Sequence, residues 1–293
     1  MTSHPPQRRG TLLRIIRAAL VAGLVSAGAG CGGGADRRPA SLPNADEVLR
    51  QARVAADALT AFQLGVDVSI QARFLPGSVS KLVSDAVAEP LLLQGQGPVD
   101  GRAASIDLDA TIAGLPGLQA NVTKVGDGVY LDLLGSAYRV DLPRGQVAAI
   151  VPADLPSGLI GWATSPRTVG LDDLDGVQTV HLTTSVLPAR VVDDLTPTVS
   201  ALLGTPLTPV QRRAVAAGLT TTTMDVWVGV DDMRPRRLSA TVRYTGGPRV
   251  PSVESLTLEL DLKFSFPERV GPIAAPAESE PLQFDRLTAL ARD

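Results

Sequence analysis

The segment LTLELDLKFSF, residues 256–266, leaves little choice about the structure around it. Leu256, Leu258, Leu260, Leu262, Phe264 and Phe266 alternate without a break with Thr257, Glu259, Asp261, Lys263 and Ser265. In an extended chain successive side chains point to opposite sides, so this is a strand with one apolar and one polar face. Eleven residues at about 3.4 Å each make a strand of about 37 Å, longer than most. The same alternation sets Val66, Val68 and Ile70 against Asp67, Ser69 and Gln71, and sets Ile106, Leu108 and Ile112 against Asp107 and Asp109. It returns in TVHLTTSV (179–186), in MDVWVGV (224–230, with Val226 and Val228) and in LSATVRY (238–244). Strands that are wet on one side only belong to an antiparallel sheet. Its apolar face must be covered by something.

Helical segments available for that cover are few. NADEVLRQARVAADALTAF, from Asn44, has an N-cap residue with Glu47 three positions on, the pattern of a capping box. Val48, Leu49, Ala52, Ala55, Ala56 and Leu59 recur at helical spacing and leave Arg50, Arg53 and Asp57 for the outer side. LPSGLIGWAT (155–164) is a short apolar helix in which Trp162 is either core or the lip of a cavity. PARVVDDLTPTVSALLG (188–204) and TPVQRRAVAAGL (208–219) are two more. Pro197 is expected to stop or kink the first near Leu195, and Thr208–Pro209 reads as cap and first-turn residue of the second.

The N-terminus reads as an export signal. Arg8, Arg9, Arg14 and Arg17 precede AALVAGLVSAGAG (18–30), an uncharged stretch that ends in small residues. It is too short for a bilayer span, which takes about 20 apolar residues. Cys31 follows and is the only cysteine in the chain, so a disulfide is excluded. Gly28, Ala29 and Gly30 before it resemble a lipobox, with Gly28 standing where an aliphatic residue is usual. Cys31 is therefore expected to carry acyl chains, with plain secretion as the alternative. Residues 32–43, rich in Gly, Arg and Pro, read as a flexible tether. The expected organisation is a signal peptide (1–30), lipidated cysteine and tether (31–43), one domain (44–274) and a C-terminal tail (275–293).

Catalytic chemistry is hard to find. His4 and His181 are the only histidines, and His181 alternates out of phase with Val180 and Leu182, which directs it to solvent. There is no G-x-S-x-G elbow and no Cys/His spacing for a metal. LDDLDG (171–176) lacks the alternating ligands of a calcium loop. GQGPVDG (95–101) is followed by no helix pattern that would make it a dinucleotide site. The net charge of −3 gives no basic footprint for nucleic acid. Aromatic residues are 3% of the chain; an aliphatic interior of this kind suits acyl chains, which need smooth apolar contact and no hydrogen bonds. Neither an enzymatic activity nor a cofactor or metal is expected.

The order of parts then resembles a known family. A signal, a cysteine, the helix LPNADEVLRQARVAADALTAF and a long run of strands are similar to the LppX/LprG-type (LppX_LprAFG) lipoproteins of actinobacterial cell envelopes. The likeness continues in GDGVYLDLLGSAYRVDL (126–142), LDGVQTVHLTTSV (174–186) and DVWVGVDDMRPRRLSATV (225–242). Residues 196–223 are longer than that pattern, and the tail is additional. The resemblance implies an α+β, LolA/LolB-like fold: a single strongly curved antiparallel sheet, a half-barrel, with helices over its concave apolar face. It further implies binding and transport of triacylated lipids or lipoglycans, membrane attachment and an envelope transporter as partner. The residues expected to line such a cavity or pack beside it are Val66, Val68, Ile70, Ile106, Leu108, Val226, Val228, Leu258, Leu260 and Leu262. Two rival readings remain: a non-catalytic interaction module with a solid core, and a secreted hydrolase.

Overall fold

A computed structural model describes residues 42–76, 88–111, 117–140, 152–203, 208–246 and 253–282. Cys31, the tether up to residue 41, Ile112 and residues 283–293 of the tail lie outside the described residues. The compact unit is Leu42–Asp293. Its strands are β1 (Ala61–Phe74), β2 (Leu91–Asp100), β3 (Ala103–Thr111), β4 (Leu118–Val125), β5 (Gly128–Leu133), β6 (Ser136–Arg139), β7 (Ala163–Leu174), β8 (Val177–Val186), β9 (Leu219–Gly229), β10 (Pro235–Thr245), β11 (Val253–Ser265) and β12 (Glu280–Pro281). Its helices are α1 (Ala45–Asp57), α2 (Leu155–Ile160), α3 (Pro188–Leu203) and α4 (Pro209–Gly218), with a 3-10 turn at Pro152–Asp154. The fold is α+β, built on one open antiparallel sheet.

All described strands belong to a single sheet in the order β12-β6-β5-β4-β3-β2-β1-β11-β10-β9-β8-β7. Every neighbouring pair is antiparallel except β12 with β6. The long alternating strand sits at its centre. Val66, Val68 and Ile70 of β1 pair with Leu262, Leu260 and Leu258 of β11 on one side and with Gly95, Leu93 and Leu91 of β2 on the other. Register and alternation together make one apolar face that runs across strands. Between β2 and β3 the ladder lapses from Gln96–Asp107 to Val99–Ala104. A Cβ on Gly97 would lie 1.9 Å from the Ser105 carbonyl oxygen, so only glycine allows the two backbones to meet there.

The helices start where their caps dictate. The Asn44 side chain accepts from the Glu47 N–H at 3.0 Å. Glu47 does not complete a capping box; its carboxylate turns outward to Arg50 and Gln51, because partners one turn on compete for it. At α4 the box is complete, with Thr208 accepting from the Gln211 N–H and Gln211 accepting from the Thr208 N–H. The expected stop near Leu195 is corrected: α3 runs through Pro197 to Leu203. One residue before it the Thr196 hydroxyl donates to the Val192 carbonyl at 2.5 Å, an ordinary i−4 back-bond within the helix. The tail adds a further element, since Glu280 and Pro281 pair with Tyr138 and Arg139.

Candidate functional site

The apolar face is divided. Over β7–β10 it is buried under helices: α1 packs on β7, β10 and α2, and α4 on β9 and β10. Val48, Ala52, Ala56, Ile160, Trp162, Leu182, Met224, Val226, Val228 and Leu238 form one core there. Trp162 belongs to that core and is not a lip; its indole N–H donates to Asp194 at 2.6 Å. Over β2–β6 the only described cover of comparable extent is the 3-10 turn, against β2.

This division sorts the ten expected inner-face residues. Val226 and Val228 are 0% exposed and Leu262 is 2% exposed, so all three are packed core. Val66, Val68, Ile70, Ile106, Leu108, Leu258 and Leu260 are only half-buried. Register brings these seven together. Val68 lies opposite Leu260 and Ile70 opposite Leu258, Gly95 links Val66 to Leu108, and Ile106 continues to Val122. The half-buried Leu91, Leu93, Val122, Leu131 and Leu133 extend the same surface. Sequence reading had not named them. LLL at 91–93 has no alternation, so nothing there says which leucines face inward. Gly95 leaves a recess in this surface, which Leu108 partly covers; a Cβ at Gly95 would stand 2.5 Å from the Leu108 Cδ2.

One end of the surface is sealed. At the sealed base Phe62, Leu64, Val99, Ala104 and Phe264 are buried, and the rings of Phe62 and Phe264 meet edge to face at 5.6 Å. Lys124, also buried, donates to the carbonyls of Arg102 and Gly126 at 3.1 and 2.9 Å, tying the β2–β3 turn to the β4–β5 turn. That satisfies two of its three donors without a carboxylate. Burial then falls along β1 from Leu64 to Val66, Val68 and Ile70 and returns only at Ala72.

The opposite face is polar. Asp67 accepts from Gln94 at 3.0 Å, and Asp107 accepts from Asn121 at 2.8 Å. A groove of about 420 Å³ on that side is lined by Asp67, Gln94, Gln96, Asp107, Asp109 and Lys263 among others. Carboxylates and amides of this kind offer an acyl chain nothing. His181 is on this outer face as expected, but it is not simply solvated. It stacks on Trp227 at 4.4 Å between Asp172 (3.3 Å) and Asp225 (3.1 Å). Arg237 covers the other part of Trp227, 4.8 Å from the ring centre. The hydrogen bond to Asp261 raises the Arg237 guanidinium above its usual pKa. Cross-strand pairing of β8 with β9 creates this stack, and no local pattern announces that pairing. Among the described residues no group of three His, Cys, Asp or Glu side chains is placed to hold a metal, and no described helix is long and apolar enough to cross a membrane.

No protein-family model and no curated relative matches the sequence. Solved structures with similar folds include LprF from Mycobacterium bovis: 14% identity, TM-score 0.45, covering 78% of this chain and 94% of that one. The Mycobacterium tuberculosis lipoprotein LppX matches at 15% identity and TM-score 0.38, over 77% and 99%. The LolA superfamily protein NE2245 from Nitrosomonas europaea matches at 12% identity and TM-score 0.24, over 78% and 94%. The likeness is distant and concerns the fold.

Proposed function

We propose that this chain is a lipid-binding lipoprotein of the cell envelope, held to the membrane through Cys31, that carries acylated lipid or lipoglycan on the half-buried inner face of its sheet. The observation behind this reading is the unequal burial of one continuous aliphatic surface. Seven of the ten expected side chains are only partly buried, four of them at the margin of the core, where a solid module would enclose them. Each methylene moved from water onto such a surface gains about 0.8 kcal/mol, so long chains bind without directional contacts. The sealed base stops the acyl ends, and the polar head group stays toward the other end. Signal, cysteine and tether supply delivery and attachment; stable anchoring takes more than one chain, which full acylation of Cys31 provides. The name lipoprotein carried by LppX accords with this. Transfer to or from an envelope transporter completes the role, and no step of it is catalytic.

The test is binding of a fluorescent polyene fatty acid to the purified Cys31→Ala chain. Emission should rise saturably, and a triacylated glycerolipid should compete. Emission that stays at the level of the probe in water would sink the proposal.

A further inference from the structure

The tail after β11 reaches β6 with little to hold it there. Residues 267–279 run from the end of β11 to β12, and none of them is buried. At β12, Glu280 and Pro281 lie beside Tyr138 and Arg139 of β6 as the sole parallel pair of the described sheet. The Leu282 N–H then donates to the Arg139 carbonyl at 2.8 Å. A two-residue ladder and one further hydrogen bond are a small return for fixing so long an exposed stretch. The balance favours β12 only if the residues after Leu282 contribute as well.

Those residues have a pattern. QFDRLTALARD, 283–293, lies outside the described residues, and at helical spacing its side chains divide. Phe284, Leu287, Leu290 and Ala291 share one side; Asp285, Arg286, Arg292 and Asp293 share the other. The described tail stops where such an apolar stripe has a counterpart. Tyr138, beside Glu280, pairs with Leu131, Leu131 with Val122 and Val122 with Ile106. All four are only half-buried, and among the described residues no helix covers β3–β6 to any comparable extent. From β6 to β3 the row crosses three strand spacings, about 14 Å at about 4.8 Å each. Residues 284–291 as a helix would measure about 12 Å, a close match. A segment tethered at the edge of this face also meets it at an effective concentration that no separate partner equals.

We infer that residues 284–291 fold as an amphipathic helix onto the inner face over β3–β6, and that an acyl ligand must displace this helix to bind there. Displacement rests on the lipid-binding reading; the helix itself is tested without lipid. The experiment is hydrogen exchange, followed by mass spectrometry, on the delipidated full chain with Cys31→Ala. Amides of 284–291 should exchange at least about tenfold more slowly than in a free peptide of the same sequence, because they must open locally first. Leu287→Asp in the stripe and Leu131→Gln in the row beneath should each return them to the free rate, while amides of β10 stay protected. Saturation with the fluorescent polyene fatty acid should release them too. Leu287→Asp should tighten binding of that probe severalfold, because its place is then vacant in a larger share of molecules. Exchange of 284–291 at the free rate in the delipidated chain overturns the inference. So does protection that ignores Leu131→Gln, which puts the segment elsewhere. Protection that appears only as protein concentration rises also overturns it, and gives the face to the tail of a second copy. Protection unchanged by bound fatty acid overturns displacement. The two readings fail separately: bound fatty acid with 284–291 unprotected in the delipidated chain removes the helix alone. Protection without any binding, even in Leu287→Asp, removes the lipid reading alone.

Discussion

Two parts of one sheet, β7–β10 and β1–β6 with β11, are written in the same alternating code and end in different states. In the first, Val226, Val228, Leu182 and Leu238 vanish under α1, α2 and Trp162. In the second, Val68, Ile70, Leu108 and Leu260 keep part of their surface in solvent. Alternation thus specifies a face and says nothing of its cover, because the cover comes from helices distant in sequence. The half without comparable cover among the described residues is where the proposed ligand would gain most.

The largest expected effect measures this difference directly. Leu238→Ala, in the packed half, should cost about 2–5 kcal/mol, because the enclosed site cannot collapse onto the missing side chain. Leu260→Ala, on the neighbouring strand β11 two residues from the partner of Leu238 and on the same face, should cost less than about 2 kcal/mol, since that side chain is only partly buried. Chemical denaturation of both variants gives the comparison; equal losses would erase the distinction between the halves. Leu260→Trp sharpens it further. In a filled core the added volume would cost about 1–3 kcal/mol; on the open surface it should leave melting nearly unchanged and lower bound lipid by filling its place. Collapse of the fold would make this half solid.

Smaller effects belong to what ties the packed half together. Trp162→Phe removes the donor to Asp194 that links the turn before β7 to α3 and should cost about 1 kcal/mol, read by thermal melting with lipid occupancy preserved. Smallest is the pH response of α1. The Glu47 carboxyl is held below its usual pKa by hydrogen bonds from Arg50 and Gln51. A depressed folded-state value means the stabilisation is present above the unfolded value and is lost as pH falls through the folded one. Fully exposed, it should appear as a slight fall in melting temperature in acid that Glu47→Gln abolishes.

Much of this architecture was legible because its signals are local. The alternation of 256–266 names the inner side of β11 residue by residue, and Asn44 and Thr208 each mark a helix start. Where partners compete, local signals fail: Glu47 turns to Arg50, and α3 passes through Pro197. The sorting of the ten inner-face residues was not legible. Val226 and Leu260 look alike in sequence and differ only in which helix lies above them. The His181–Trp227 stack depends likewise on strand pairing, which no single strand encodes.

The central claim is that the open half holds acyl chains, and mass spectrometry of lipid extracted from the purified Cys31→Ala chain tests it most directly. Without a covalent anchor, any lipid recovered must have been held by the fold. The account predicts long-chain acylated lipid in stoichiometric amount, clearly reduced by Leu260→Trp. Protein that is folded, melts cooperatively and carries no lipid, before and after exposure to envelope lipid extract, would contradict it.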